Sequence, residues 1–276
     1  MPVILLSDNG STRANATLQL RELANKLSLQ TGYTVHPVSL QHANRIPKEA
    51  LNNMPAQVFP DFIEQQLIKD NKDFILLPIF FGKSKALTKF VPDIVDSLKN
   101  KYGEFQLKVA DVIYPLPEGE NLLCEIIHDH IVDTAKKENA DLNNVVLVDH
   151  GSPIPQVTNV RKHIAQSVQD LLSADASLEQ AVMERREGSE YDFNGDLLEN
   201  WLKQKVQSGA TSVIVILMFF LAGRHAGADG DIAEICNSVM KEHPELKISI
   251  SPLISEHPKF LSILESRLND AIKSIQ

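Results

Sequence analysis

Apolar residues fall into two alternating patterns along the chain, and the alternation predicts the architecture. Short continuous runs at 2–6, 74–81, 145–148 and 212–220 read as strands buried on both faces. Between them, apolar positions recur at helical spacing. From 14 to 29, Leu18, Leu20, Leu23, Ala24 and Leu27 build one helical face. The expected order in the first half is strand 2–6, helix 14–29, strand 34–40, helix 61–69, strand 74–81, helix 92–100, strand 107–113 and helix 118–137. The second half repeats it: strand 145–148, helix 155–172, a short strand at 181–184, helix 195–208, strand 212–220, helix 229–241, strand 247–251 and helix 258–274. Regular βα alternation with helix-length crossovers predicts an α/β protein with two small parallel sheets, each flanked by helices.

The two halves also share local sequence. Val145-Val-Leu-Val-Asp-His150-Gly-Ser152 matches Pro2-Val-Ile-Leu-Leu-Ser-Asp-Asn9-Gly-Ser11, which sets Asn9 and His150 141 residues apart. The segments 74–84 and 213–225 obey the same offset, each an apolar strand leading into Gly and a basic residue, then Ser84 or His225. Aligning their Phe-Phe pairs instead requires a gap of two residues. An internal duplication explains both matches and predicts two domains, 1–140 and 141–276, divided after the charged stretch Lys136-Lys-Glu-Asn139.

Composition narrows the functional classes. With 276 residues, 43% of them hydrophobic, the chain can build two cores. Its net charge of −9 argues against a nucleic-acid partner. Cys124 and Cys236 lie far apart without a C-x-x-C pattern, as expected of core thiols in a reducing compartment. No basic leader precedes the first strand, and the longest apolar run is half of what a bilayer span needs. The expectation is a soluble, cytoplasmic protein with no membrane partner.

The candidate chemistry lies where strands end. His150 and His225 each follow a strand of the same half beside a glycine, at the sheet edge where open α/β folds bind ligands. Glu184 follows the short strand between them. Two imidazoles and a carboxylate form a borderline donor set suited to first-row divalent metals, against the alternative of three solvated loop residues. The first half has Asn9, Ser84 and Gln41 at the matching positions, all polar but unable to bind a divalent metal strongly or to accept a proton at neutral pH. Coordinated loss in one half points to joint action in the other. The remaining histidines read as structural: His163 lies mid-helix, His128 and His130 point to different helix faces, and His257 before Pro258 reads as a wall or anchor. Ser152 as a hydrolase nucleophile lacks a G-x-S-x-G elbow.

Asp149-His-Gly-Ser152 with Asn159, Phe219-Phe-Leu-Ala-Gly-Arg-His225, and Pro252-Leu-Ile-Ser-Glu-His-Pro258 followed by Arg267-Leu268 resemble the class II chelatases that act on sirohydrochlorin. The resemblance covers the whole chain and is clearest in the second half. It implies two α/β halves facing each other across a cleft, and insertion of Co²⁺ or Fe²⁺ into a tetrapyrrole for cobalamin or sirohaem; the two-histidine, one-carboxylate donor set suits Ni²⁺ as well. The metal is then a substrate, and no organic cofactor is expected. By the same resemblance His150 and His225 handle the metal and Glu184 is the accompanying acid. Two positions depart from the family's pattern: Leu217-Met-Phe219 replaces Pro-Leu-Phe, and Pro153 replaces a basic residue. Ser152, at the following helix N-terminus, and Arg224 are the expected partners of the substrate's carboxylates, with Arg185 and Arg186 as further candidates on a solvated face. The alternative function is a non-catalytic metal or tetrapyrrole carrier.

Overall fold

The computed structural model describes residues 1–274 and divides into two compact units, one of residues 1–118 with 261 onward and one of residues 119–260. In the first, β1 (Val3–Ser7), β2 (Val35–Pro37), β3 (Asp73–Pro78) and β4 (Gln106–Val109) form a parallel sheet of order β2-β1-β3-β4. Helices α1 (Ala14–Thr31), α2 (Phe59–Ile68) and α3 (Val91–Tyr102) supply the crossovers. The second unit opens with α4 (Asn121–Glu138). Its parallel sheet has the order β7-β6-β5-β8-β9, from β5 (Val145–Asp149), β6 (Leu178–Val182), β7 (Asp196–Leu197), β8 (Ser212–Leu217) and β9 (Lys247–Ile250). Helices α5 (Pro155–Gln169), α6 (Leu198–Gln207) and α7 (Asp231–Glu242) lie between its strands.

The continuous apolar runs form strands because both faces are covered. Val145 to Val148 are all fully buried, as are Val213 to Ile216. Val146, Val148, Val213 and Val215 pack with Trp201 and Leu202 of α6 and with Cys236 and Val239 of α7. In the first unit Leu5, Phe74 and Leu76 pack with Phe59, Phe62 and Ile63 of α2 and Leu98 of α3. Cys124 and Cys236 are buried thiols in α4 and α7.

The compact units do not divide at residue 140. Helix α4 packs on α5, β8 and β9, so it belongs with the second sheet. Helix α8 (Lys259–Lys273) belongs to the first unit from Leu261 onward, where the Arg267 guanidinium donates to the Val112 and Ile113 carbonyls at 3.0 and 3.2 Å. The short strand expected at 181–184 lies earlier, at Leu178–Val182, which leaves Glu184 in the loop beyond it. A two-residue strand, β7, pairs with Ala181 and Val182 where the start of a helix was expected.

Strand pairing also fixes the repeat alignment. Ile4 to Leu6 match Val145 to Leu147 at the expected spacing, but Leu5 pairs with Leu76 while Val146 pairs with Val215, 139 residues apart. The Phe-Phe alignment is therefore the structural one, and the loop carrying His225 is longer than its counterpart around Ser84. Strand β5 is flanked by β6 and β8; the connection from β5 leads outward to β6 and that from β8 outward to β9, in opposite directions. The loops after β5, β6 and β8 therefore lie side by side at a topological switch point.

Candidate active site

His150 and Glu184 are brought together by their backbones. Gly151 has φ +91°, and a Cβ there would lie 1.9 Å from the Glu184 carbonyl oxygen, so only glycine permits the approach. The Glu184 N–H donates to the His150 carbonyl at 3.1 Å. With the two main chains tied, His150 Nε2 stands 3.2 Å from Glu184 Oε1. His150 Nδ1 lies 3.0 Å from the Gly151 carbonyl. Both ring nitrogens thus face oxygen atoms. The side chains are 44% and 64% exposed, open to a ligand from solvent.

His225 arrives from the loop after β8. Its Nδ1 lies 2.7 Å from Oδ2 of Asp231, the first residue of α7. Donation from Nδ1–H to that carboxylate leaves the Nε2 lone pair for a cation or a proton. The His150 and His225 rings meet edge-on with centroids 4.5 Å apart. The three residues expected from sequence are therefore neighbours. Among the described residues, however, no group of three or more His, Cys, Asp or Glu side chains is gathered closely enough to hold a metal ion. Glu184 faces His150, and Asp231 faces His225.

The other expected groups are placed less uniformly. The Ser152 hydroxyl accepts from the Ile154 N–H at 3.0 Å, and its backbone N–H donates to Asn194 Oδ1 at 3.0 Å. Arg224 is exposed, with Nε 3.6 Å from Asp231, and its guanidinium faces solvent. Arg185 is held by Asp192 and the Gly195 carbonyl, and Arg186 lies over the Tyr191 ring. His257 donates from Nε2 toward Asp129 and accepts the Lys259 N–H at Nδ1, which is an anchoring role.

Four residues around the site went unassigned from sequence. Besides Asp231 they are Asp149, Arg161 and Asn194. Arg161, 1% exposed, donates from Nη1 to Asp149 Oδ1 at 2.6 Å and to the Ala181 carbonyl at 3.2 Å, and from Nη2 to the Asn194 carbonyl at 2.5 Å. Asp149 Oδ1 also accepts the Gly151 N–H at 3.1 Å. Burial pushes the Asp149 carboxyl upward, while Arg161 and that N–H pull it back. The signal for Arg161 was present: a single arginine stands among Thr158, Ile164, Ala165 and Val168 on the buried face of α5.

Residues 144–271 match the model of the CbiX family. By fold, SirB from Bacillus subtilis with Fe³⁺ superposes with a TM-score of 0.69 at 12% identity, covering 98% of this chain and 96% of that one. The sirohydrochlorin chelatase SirB from Bacillus subtilis subspecies spizizenii in complex with cobalt gives 0.68 at 13% identity, covering 99% and 96%. CbiX, described as the terminal enzyme for biosynthesis of sirohaem in denitrifying bacteria, gives 0.57 at 12% identity, covering 98% and 99%. No curated protein matches the chain by sequence. Among the described residues no helix is long and apolar enough to cross a membrane.

Proposed function

We propose that this protein is a tetrapyrrole chelatase that inserts a divalent metal, Co²⁺ or Fe²⁺, into sirohydrochlorin, with His150, His225 and Glu184 as the working residues. The observation that carries the reading is the meeting of two imidazoles and a carboxylate at the switch point of one sheet. The family of residues 144–271 and the fold of the whole chain support the same reaction class.

Insertion exchanges two pyrrole N–H protons for one dication, so the site must deliver a cation and accept protons. His225, with Nδ1 committed to Asp231, offers Nε2 as a neutral donor that holds a metal loosely enough to release it. His150 and Glu184 form the proton-accepting pair. Because His150 Nε2 faces Glu184, it cannot bind a metal until the carboxylate turns aside, and turning aside also frees Glu184 to balance the cation's charge. Arg224 is the exposed cation nearest these rings in sequence and serves a substrate carboxylate.

The test is anaerobic absorbance spectroscopy with sirohydrochlorin and Co²⁺ or Fe²⁺. His150→Ala and His225→Ala are expected to abolish turnover, whereas Asn9→Ala retains it. Retained turnover in both histidine variants would overturn the assignment. A carrier, the competing reading, gives at most stoichiometric product.

A further inference from the structure

The first unit supplies an internal control for the network around Arg161. Its backbone keeps the same cradle: Gly10 has φ +95°, and a Cβ there would lie 1.7 Å from the Gln41 carbonyl oxygen. The Gln41 N–H donates to the Asn9 carbonyl at 3.1 Å, as Glu184 does to His150. Asp8 takes the place of Asp149. Twelve residues beyond Asp149 stands Arg161, whereas twelve residues beyond Asp8 stands Leu20, 1% exposed. Asp8 Oδ1 is buried with no hydrogen-bond partner, and burial raises this carboxyl, opposed by Ser39 and the Gly10 N–H. The unit without the two histidines therefore also lacks the guanidinium.

In the second unit that guanidinium grips the His150 loop from both sides. One arm holds Asp149, which holds the Gly151 N–H. The other holds the carbonyl of Asn194, whose fully buried side chain accepts from the Ser152 N–H and the Thr158 hydroxyl and donates to the Ser152 carbonyl at 2.9 Å. A third bond reaches the Ala181 carbonyl on β6, three residues before Glu184. The residue after β5 and the residue after β6 are thus referred to one rigid planar group.

We propose that Arg161 is a positioning residue that, through Asp149 and Asn194, fixes His150 against Glu184 and makes this unit the working half. The functional role rests on the chelatase reading above, and the geometric role does not. Fixing a reacting group by a buried, fully bonded neighbour is a general source of rate, and a displacement of about 1 Å costs roughly a hundredfold.

The experiment uses the full chain carrying Arg161→Leu with Asp149→Asn, which removes both buried charges while keeping an oxygen for the Gly151 N–H. Arg161→Lys is the second variant. It keeps the charge but cannot span three acceptors at once, and it decides the matter if the double variant does not fold. The measurements are near-ultraviolet circular dichroism, ¹⁵N–¹H ring and amide signals of His150 and Gly151 in metal-free protein, and kcat per folded molecule with sirohydrochlorin and Co²⁺. The expected result is a folded protein in which the His150 and Gly151 signals shift or broaden, kcat falls about 10–100-fold, and KM for the macrocycle stays within about twofold. A folded variant with wild-type His150 signals and wild-type kcat overturns the proposal, because a merely structural role lowers stability alone. If wild type shows no turnover but the His150 signals move in the variants, the chelatase reading fails and the positioning stands.

Discussion

Replacing Asp231 by asparagine keeps an oxygen within reach of the His225 Nδ1–H but removes the negative charge from a 2.7 Å contact. The two side chains are 29% and 32% exposed, so water screens part of that charge. Loss of a hydrogen-bonded partner behind a metal-binding imidazole typically costs 10–100-fold in affinity or activity. For this partly solvated pair we expect Asp231→Asn at the low end, about tenfold, or about 1.4 kcal/mol. Asp231→Ala removes the acceptor as well and releases the ring, so about a hundredfold loss is expected. The assay is an anaerobic Co²⁺ titration of metal-free protein in competition with a chromophoric chelator, with kcat measured in parallel. Wild-type Co²⁺ affinity in both variants would refute the assignment of Asp231 as the group that orients His225.

The two glycine cradles make a matched pair of tests. Gly151→Ala and Gly10→Ala each place a Cβ against a carbonyl oxygen at positive φ, and each is expected to lower stability by about 2 kcal/mol or more in urea unfolding. Only Gly151→Ala is expected to abolish turnover as well, and loss with both would contradict the division of labour between the units. His130 in α4 is 5% exposed, and burial, reinforced by the charge of His257, lowers it to about 4. Below the unfolded value near 6.5 the unfolded chain takes up a proton that the folded chain refuses. Stability is therefore full above that pH and is lost as the pH falls toward 4, by up to about 3 kcal/mol. Urea unfolding at pH 7 and pH 4.5 should show this loss in wild type and a smaller one in His130→Asn; equal losses would contradict it. Burial pushes the Cys236 thiol up to about 12, so it should resist a disulfide reagent at pH 8 until the protein is unfolded.

The parts of the fold that sequence made legible are those governed by local pattern. Strands buried on both faces declared themselves as continuous aliphatic runs, and the crossover helices as 3.6-residue stripes, because both signals come from one short segment. The meeting of His150 with His225 was legible through strand order, since both follow central strands of one sheet. The limits of β6, the tiny strand β7 and the exchange of α4 and α8 between units were not. Each depends on a partner distant in the chain rather than on the segment's own pattern. The network behind His150 was hidden for the same reason. Arg161 stands on an apolar helix face, and its partners Asp149, Ala181 and Asn194 come from three different elements. Asp231 follows His225 by six residues, a spacing that carried no regular-structure signal. The expected correspondence of Ser84 with His225 shifted once strand pairing showed the 139-residue spacing, because an insertion in a loop leaves no trace in an apolar pattern.

The most direct test of the central claim is the number of macrocycles metallated per protein. Purified protein at low concentration is mixed anaerobically with excess sirohydrochlorin and Co²⁺, or Fe²⁺, and followed by absorbance together with proton release in weak buffer. A chelatase is expected to give many equivalents of product per chain, faster than the protein-free reaction, with two protons released for each metal inserted. Product that stops at one equivalent, or forms no faster than without protein, would contradict the claim.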